Sequence, residues 1–331
     1  MKLGKLAITL PAAFFNVKQA VDLAVRAEKE WNYPAIWLAE TGGAESFALA
    51  AAIACATTNT EIGTAIVPTY NRTPAVLAMG AGSVAQLSED RFILGLGTSS
   101  HAIIEQWNGV PFKAPLAHMR DSVAILRQAL AGEKTDYAGP ALSSHGFRLG
   151  GCPAKPLKIY LAALREKMLQ LAGEIGEGLI INFFPLESLP TILGAYREGA
   201  ARAGRDASSD EIVARFQVAV TDDRERARNL VRAGFGGYVA TPVYNKFFDW
   251  VGYPDVARGV AEAFAKKDRG ATAAAMSDEF IEAITIIGTA EECREQLGAF
   301  VAAGVTTPVI APLATSPDDV LAVFEALAPD S

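Results

Sequence analysis

Short apolar runs alternate with longer amphipathic segments along the whole chain, and the apolar runs contain few polar residues. Strands that are apolar on both faces are typical of a parallel sheet covered by helices. The pattern predicts strands over residues 3–9, 35–39, 61–67, 92–97, 158–162, 178–182, 211–220 and 305–311. It predicts helices over residues 17–31, 46–57, 74–88, 116–131, 166–175, 186–203, 223–233 and 317–327.

Eight strand–helix units over 331 residues predict an α/β protein of the (β/α)8 TIM-barrel class. A doubly wound open sheet is the alternative. It is less favoured because eight strands suffice to close a barrel and no G-x-G-x-x-G motif follows the first strand. We therefore expect residues 1–331 to form a single barrel domain.

Two connections are too long for simple barrel loops, and they follow strands 4 and 7. The first, residues 111–156, contains a predicted hairpin with its turn at residues 138–140. The second, residues 234–285, carries additional helices. Loops at the carboxyl ends of barrel strands carry function, so we expect both insertions to form walls above the mouth.

Three helix starts carry recognisable cap signals. Asn16 and Ser46 are predicted to cap the first two helices, and Thr73 to cap the third, which begins with Pro74.

Composition and charge exclude some classes of partner. The formal charge is 30 − 37 = −7 and the basic residues are scattered, which argues against nucleic acid and gives no sign of membrane attraction. The three cysteines have no metal-ligand spacing, which favours free thiols in a reducing compartment. With no signal-peptide pattern and no apolar run long enough to span a bilayer, we expect a cytoplasmic protein.

The end of the fourth predicted strand is suited to phosphate binding. The apolar run 92–96 breaks into Gly97, Thr98, Ser99 and Ser100. Small residues let a ligand approach the backbone, while amides and hydroxyls donate to an anion. His101 follows and could donate to an anion or move a proton, although a lone histidine is more often structural.

Glu40 directly follows the second predicted strand and should point into the mouth. It could act as an acid, a base or a hydrogen-bond acceptor, and an apolar mouth would favour its neutral, proton-donating form. The alternative is structural: the carboxylate caps the next helix or pairs with an arginine of a neighbouring strand.

Other strand ends offer small or polar groups. Ala162 and Ala163 end the fifth strand, and Asn182 ends the sixth, before two phenylalanines. His118 and His145 lie in the first insertion without metal-ligand spacing, so we expect no metal. The second insertion is rich in aromatic residues, which line an apolar substrate pocket or form local core. These residues are Tyr244, Phe247, Phe248, Trp250 and Tyr253.

A mouth with few acid or base groups suits chemistry performed by a bound organic cofactor. Six segments resemble the luciferase-like monooxygenase superfamily, and within it the deazaflavin (coenzyme F420)-dependent oxidoreductases. They are AIWLAE (35–40), EIGTAIVPTYNRTPAVLAM (61–79), LSEDRFILGLGTSS (87–100), IYLAAL (159–164), LAGEIGEGLIINF (171–183) and IIGTAEECREQLGAFVAAGVTTPVI (286–310).

The resemblance implies specific roles at the mouth. The loop from Gly97 to Ser100 would hold the cofactor phosphate together with Ala162 and Ala163. A non-proline cis peptide would join Ala65 to Ile66 behind the deazaflavin ring. Gly178 and Asn182 would lie near the ring or its ribityl chain.

One departure from the family pattern concerns proton transfer. Many deazaflavin-dependent members have an acid followed by histidine after the second strand, whereas this chain has Glu40 and then Thr41. Glu40 keeps the acidic position, Thr41 would stand beside the cofactor, and His101 is the remaining candidate for an imidazole.

The resemblance thus implies hydride transfer between coenzyme F420 and a small organic substrate, by a homodimer. A reduced-FMN monooxygenase is the alternative, because FMN also carries a ring, a ribityl chain and a phosphate. A non-catalytic flavin-binding relative is the third possibility.

Overall fold

Eight parallel strands close into a barrel in the computed structural model, which describes residues 3–329. The strands in chain order are β1 (Ala7–Ile8), β2 (Ala35–Leu38), β3 (Glu61–Thr64), β4 (Val67–Pro68), β5 (Phe92–Gly97), β6 (Asp136–Ala138), β7 (Ser143–His145), β8 (Ile159–Ala162), β9 (Gly178–Asn182), β10 (Glu211–Val220), β11 (Thr285–Gly288) and β12 (Thr307–Pro312). The barrel runs β1-β2-β3-β5-β8-β9-β10-β12 and closes where β12 pairs with β1. The predicted barrel is therefore confirmed.

The helices pack outside the barrel. They are α1 (Val17–Lys29), α2 (Ser46–Ala56), α3 (Pro74–Leu87), α4 (Pro115–Leu130), α5 (Glu166–Ile175), α6 (Leu189–Arg202), α7 (Arg224–Ala240), α8 (Pro242–Trp250), α9 (Pro254–Ala265), α10 (Arg269–Ala274), α11 (Asp278–Ile284), α12 (Ala290–Ala302) and α13 (Pro317–Ala326). A π-helix covers Ala102–Trp107 and a 3-10 turn covers Leu186–Ser188.

Both predicted insertions are present. The first contains α4 and the antiparallel hairpin β6–β7, whose turn covers residues 139–142 and so overlaps the predicted turn at 138–140. The second contains α8 to α11, and the additional strand β11, which pairs with β10, begins at its last residue. Its predicted start at residue 234 is wrong, because α7 continues to Ala240.

The sequence predicts the third barrel strand as one continuous run over residues 61–67, but the structure divides it in two. It stops at Thr64 and resumes as β4, which pairs with the last residues of β5. The interruption contains the cis peptide bond between Ala65 and Ile66, so that expectation is confirmed.

The helix caps agree with the sequence in two cases out of three. Asn16 forms a reciprocal capping box with Gln19, and Thr73 precedes Pro74 without a side-chain cap bond. The prediction for α2 is wrong: Glu45 is its cap and accepts from the Ala48 N–H at 2.7 Å. Glu45 itself has an extended backbone, with φ of −67° and ψ of 129°, as N-cap residues usually do, and this conformation directs its side chain back to the amide.

Side chains alternate between the barrel interior and the helix layer, as strand geometry requires. On β10, Val213 belongs to the interior cluster, while Ala214, Phe216 and Val218 belong to the core beneath the helices. The interior cluster is almost entirely apolar. Its members are Ala7, Ala35, Trp37, Ile93, Tyr160, Ile180, Val213 and Val309.

The amino-terminal end of the barrel is closed by a polar cluster. Lys5 pairs with both Glu61 and Glu211, and Glu211 also accepts from the hydroxyls of Tyr160 and Thr307. Burial alone would raise the pKa of Glu211, but Lys5 and the two hydroxyls outweigh burial and lower its pKa. Each polar group in this cluster has a partner, so we assign the cluster to the fold rather than to chemistry.

Candidate active site

A small-residue cradle lies at the carboxyl end of the barrel. A Cβ atom placed on Gly97 would lie 2.7 Å from the Ile66 Cγ1 and 3.4 Å from the Ala162 Cβ. Ala65, Ile66 and Ala162 are partly exposed above the interior cluster. The ends of β3, β5 and β8 therefore meet in a shallow apolar floor that a flat ligand can approach closely.

The adjoining loop has the composition expected of an anion site. Thr98, Ser99 and Ser100 are partly exposed, and Ser99 adopts a left-handed conformation with φ of 62°. The Ser100 hydroxyl accepts from the Ile103 N–H at 3.4 Å. Within residues 3–329, the backbone N–H groups of Ser99 and Ser100 donate to no other protein group, so they remain available to a ligand.

Ala163 follows the cradle but faces the other way. Its side chain is buried in the core beneath the helices, and its N–H donates to the Ile180 carbonyl at 3.2 Å. Of the two alanines predicted to contact the cofactor, Ala162 is the one whose side chain is on the mouth side.

Glu40 lies at the mouth, but its expected apolar surroundings are wrong. Arg72 binds both carboxylate oxygens, at 2.7 and 2.8 Å, and the Ser46 N–H donates to Oε2 at 3.0 Å. This is the structural alternative, an arginine pair combined with a helix start. A carboxylate fixed by an arginine and a backbone N–H at once is held in one orientation, which suits a positioning role better than proton transfer.

Arg72 connects Glu40 to the start of α2. It also pairs with the cap residue Glu45, and its guanidinium carbon lies 5.2 Å from the centre of the Phe47 ring. Burial alone would lower the pKa of Arg72, but the two glutamates raise it. Thr41 lies in the loop between these residues and is exposed.

His101 directly follows the Ser99–Ser100 loop, and its side chain contacts Glu105 and Phe112. Its side chain is 47% exposed, its Nδ1 lies 3.3 Å from a Glu105 carboxylate oxygen, and its ring packs edge-on against Phe112. The Phe112 N–H and His101 lower the pKa of Glu105. A role of His101 in proton transfer therefore stays a prediction.

Gly178 lies at the wrong end of the barrel for the expected role. It begins β9 and pairs with Glu211 of the amino-terminal cluster. A Cβ atom there would lie 2.7 Å from the Tyr160 ring, so glycine is required for packing. Asn182 ends the same strand and does reach the mouth, because the strand runs from one end of the barrel to the other.

Asn182 faces an aromatic wall formed by the second insertion. Its Nδ2 lies 3.4 Å from the Tyr244 hydroxyl, and its buried Oδ1 has no partner within the described residues. Burial raises the pKa of Tyr244 to about 12, so its hydroxyl is neutral and can donate. By contrast, Phe247 and Phe248 are buried in the core of the insertion.

Sequence reasoning missed several polar groups of the mouth. The Thr69 N–H donates to the Gly97 carbonyl at 3.0 Å, and the Thr69 hydroxyl is buried without a partner in residues 3–329. His118 stacks on Tyr70 at 3.7 Å and lies 3.2 Å from the Thr69 carbonyl. Burial lowers the pKa of His118. These groups surround the loop after β5. They are distant from that loop in the sequence, so only the structure identifies them as part of the mouth.

Arg215 is the other residue that sequence reasoning missed. It stands in the middle of β10, opposite Asn182 in the strand register. The signal available in the sequence was an arginine within an otherwise apolar strand, EIVARFQVAV. Such a residue is uncommon in a strand buried on both faces.

The described part of the chain contains neither a membrane-spanning helix nor a cluster of metal ligands. Between residues 3 and 329, no helix is both long and apolar enough to cross a membrane. Over the same range, no group of three or more His, Cys, Asp or Glu residues is placed to hold a metal ion.

The structure is that of an α/β-barrel protein with a candidate ligand site at the carboxyl ends of the strands. The chain belongs to the luciferase-like monooxygenase family, whose profile matches residues 4–307. It is 30% identical over 261 residues to a 5,10-methylenetetrahydromethanopterin reductase from Archaeoglobus fulgidus, covering 78% of each chain.

Two further relatives extend the comparison. An F420-dependent glucose-6-phosphate dehydrogenase from Mycolicibacterium gilvum is 30% identical over 244 residues, which covers 69% of this chain and 72% of the relative. The solved coenzyme F420-dependent tetrahydromethanopterin reductase from Methanopyrus kandleri superposes with a TM-score of 0.82 over 98% of both chains, at 20% identity. At that identity the superposition establishes the fold.

Proposed function

We propose that this protein is a coenzyme F420-dependent oxidoreductase that transfers a hydride between the deazaflavin and a small organic substrate. The observation that carries the proposal is the cradle of Ile66, Gly97 and Ala162 beside the Ser99–Ser100 loop. A flat ring and a phosphate need those two surfaces next to each other. The F420-dependent relatives support the same cofactor.

The residues present fit such a cofactor. The cradle is an apolar surface that a flat ring can cover. Two buried oxygens at the mouth, Thr69 Oγ1 and Asn182 Oδ1, have no hydrogen-bond partner within the described chain. Buried polar atoms are normally satisfied, so these positions suit a ligand's polar edge or a bound water. When bound, the deazaflavin would supply the hydride acceptor or donor.

Each part of the mouth then has a distinct task. Ala65, Ile66 and Gly97 exclude water from one side of the ring by close contact. The N–H groups and hydroxyls of Ser99 and Ser100 bind phosphate. Glu40 acts as a positioning residue, because it fixes Arg72 and the start of α2 at the rim.

Cofactor titration is the direct test. We expect the purified protein to bind coenzyme F420 at least about tenfold more tightly than FMN, a difference of about 1.4 kcal/mol. Fluorescence titration with each cofactor measures this. Tighter FMN binding together with oxygen-dependent turnover would favour the monooxygenase alternative. Binding of either cofactor without turnover on any substrate would favour a non-catalytic relative.

We also propose a homodimer that uses the exposed side of α3. Val76, Met79 and Leu87 are each about half exposed along this helix, next to the alanine-rich α2. An apolar stripe of this kind favours association. The three cysteines are free, which is compatible with a cytoplasmic protein.

A charge placed in the stripe should separate the dimer. We expect Met79→Glu to shift the mass measured by light scattering at micromolar concentration from two chains to one. Val17→Glu is the matched control, because Val17 is equally exposed on α1, away from α3. An unsubstituted protein that is already monomeric would overturn the proposal.

A further inference from the structure

Arg215 is a partly buried cation without an anionic partner. Strand alternation places its side chain inside the barrel, two residues beyond the interior residue Val213. Its Nε is buried and has no hydrogen-bond acceptor, and no carboxylate in residues 3–329 forms an ion pair with it. The neighbouring strand contributes Asn182 at the same level.

The other shielded arginines of the chain behave differently. Arg72 is paired with two glutamates, and Arg228 with Asp278 and Glu282. A buried charge is costly unless an opposite charge or several acceptors compensate it. Arg215 therefore lacks the compensation that the fold provides elsewhere, and an anionic ligand would supply it.

The surroundings of Arg215 are shaped for an organic molecule. Burial lowers the pKa of its guanidinium, and Tyr238 and Tyr244 act on that pKa in the opposite direction. Phe183 packs against both tyrosines and against Phe235. The Asn182 amide adds a carbonyl oxygen without a partner. A cation and an amide thus lie beside an aromatic wall.

The barrel order separates this position from the cofactor cradle. β3 and β10 occupy the third and seventh places in the ring of eight strands, so they face each other across the mouth. Ile66 follows β3, whereas Arg215 stands on β10. If a ring lies on the cradle with one face, its other face is directed toward Arg215. A substrate must lie against that second face to exchange a hydride with the ring.

We propose that Arg215 binds the carboxylate of the substrate, and that the substrate is a small carboxylic acid with an apolar or aromatic body. A guanidinium binds a carboxylate through two parallel hydrogen bonds, which fixes orientation as well as position. The Asn182 amide would hold the substrate's other polar edge, and the aromatic wall would cover its body. This inference rests on the proposed function.

A pair of isosteric probes tests the charge requirement. Benzoate and benzamide differ in charge but hardly in shape. We expect the unsubstituted protein to bind benzoate at least about tenfold more tightly than benzamide, since a charge-assisted pair is lost with the amide. Arg215→Met should remove this preference, and Arg215→Lys should retain part of it. Isothermal titration calorimetry, with and without coenzyme F420, measures the two affinities for all three proteins.

Separate readouts identify the source of any change. Arg215→Met should melt at the same temperature as the parent or higher, because an unpaired buried charge is removed. Its F420 affinity should stay within about threefold of the parent value. Loss of F420 affinity in this variant would assign Arg215 to the cofactor and overturn the proposal. An unsubstituted protein without a preference for benzoate would also overturn it.

The proposed function can fail independently of this inference. If the unsubstituted protein binds no F420, the cofactor assignment is wrong, while the benzoate preference of the cofactor-free protein still tests the Arg215 site. If Arg215→Met does not fold, Arg215→Lys provides the comparison, because it keeps a charge but loses the two-point geometry.

Discussion

Replacement of Arg72 by Met is expected to lower the free energy of unfolding by about 3–5 kcal/mol, the usual cost of removing one partner from a buried ion pair. The side chains of Arg72 and Glu40 are only 13% and 11% exposed. The substitution leaves Glu40 without its cation and releases Glu45 and the Phe47 ring. Chemical denaturation followed by circular dichroism measures the loss.

Arg26→Met is the matched control for this prediction. Arg26 also pairs with a glutamate, Glu30, and also lies over an aromatic ring, that of Trp31 at 4.5 Å. Its ion pair is exposed, so the expected loss is below about 1 kcal/mol. A similar loss in both variants would show that Arg72 has no special place in the fold.

A double-variant cycle separates the pair from its surroundings. If Glu40 and Arg72 act on each other, Glu40→Gln combined with Arg72→Met should cost clearly less than the sum of the single variants. Additive losses would leave the carboxylate free for another task, and a role in proton transfer would then become the better explanation for Glu40.

The second large effect is expected at Gly97. Gly97→Leu should weaken coenzyme F420 binding by at least about 100-fold, or about 2.7 kcal/mol. The new side chain would occupy the floor between Ile66 and Ala162, where a ring must make contact. Ile66 has flexible side-chain atoms that can move, so we expect a stability cost of only about 1–3 kcal/mol. Fluorescence titration and thermal melting measure the two quantities.

Gly194→Leu is the matched control, because it makes the same substitution at a position away from the mouth. Gly194 is exposed on α6, and a Cβ atom there would meet nothing within 4 Å. F420 affinity should therefore equal that of the parent. If folded Gly97→Leu binds F420 within threefold of the parent, the ring lies elsewhere in the mouth.

Much of the fold was predictable because its signals are local. Buried parallel strands are apolar throughout, and β9 and β10 have the predicted boundaries. The break after β5 from apolar to small polar residues is also local, and it predicted a polar loop at the mouth. The boundaries that were wrong, such as the end of α7 and the cap of α2, depend on packing at the ends of elements.

The sequence alone determined the eight-stranded barrel, its two insertions and the loop at Gly97, because periodicity and strand-end composition are properties of neighbouring residues. The tertiary structure decided the partners of the charged groups. Glu40 meets Arg72 from 32 residues away, whereas Arg215 meets no carboxylate within the described chain. A charge is compensated by whatever residues the fold brings to within a few ångströms, and those contacts are not encoded in any local pattern.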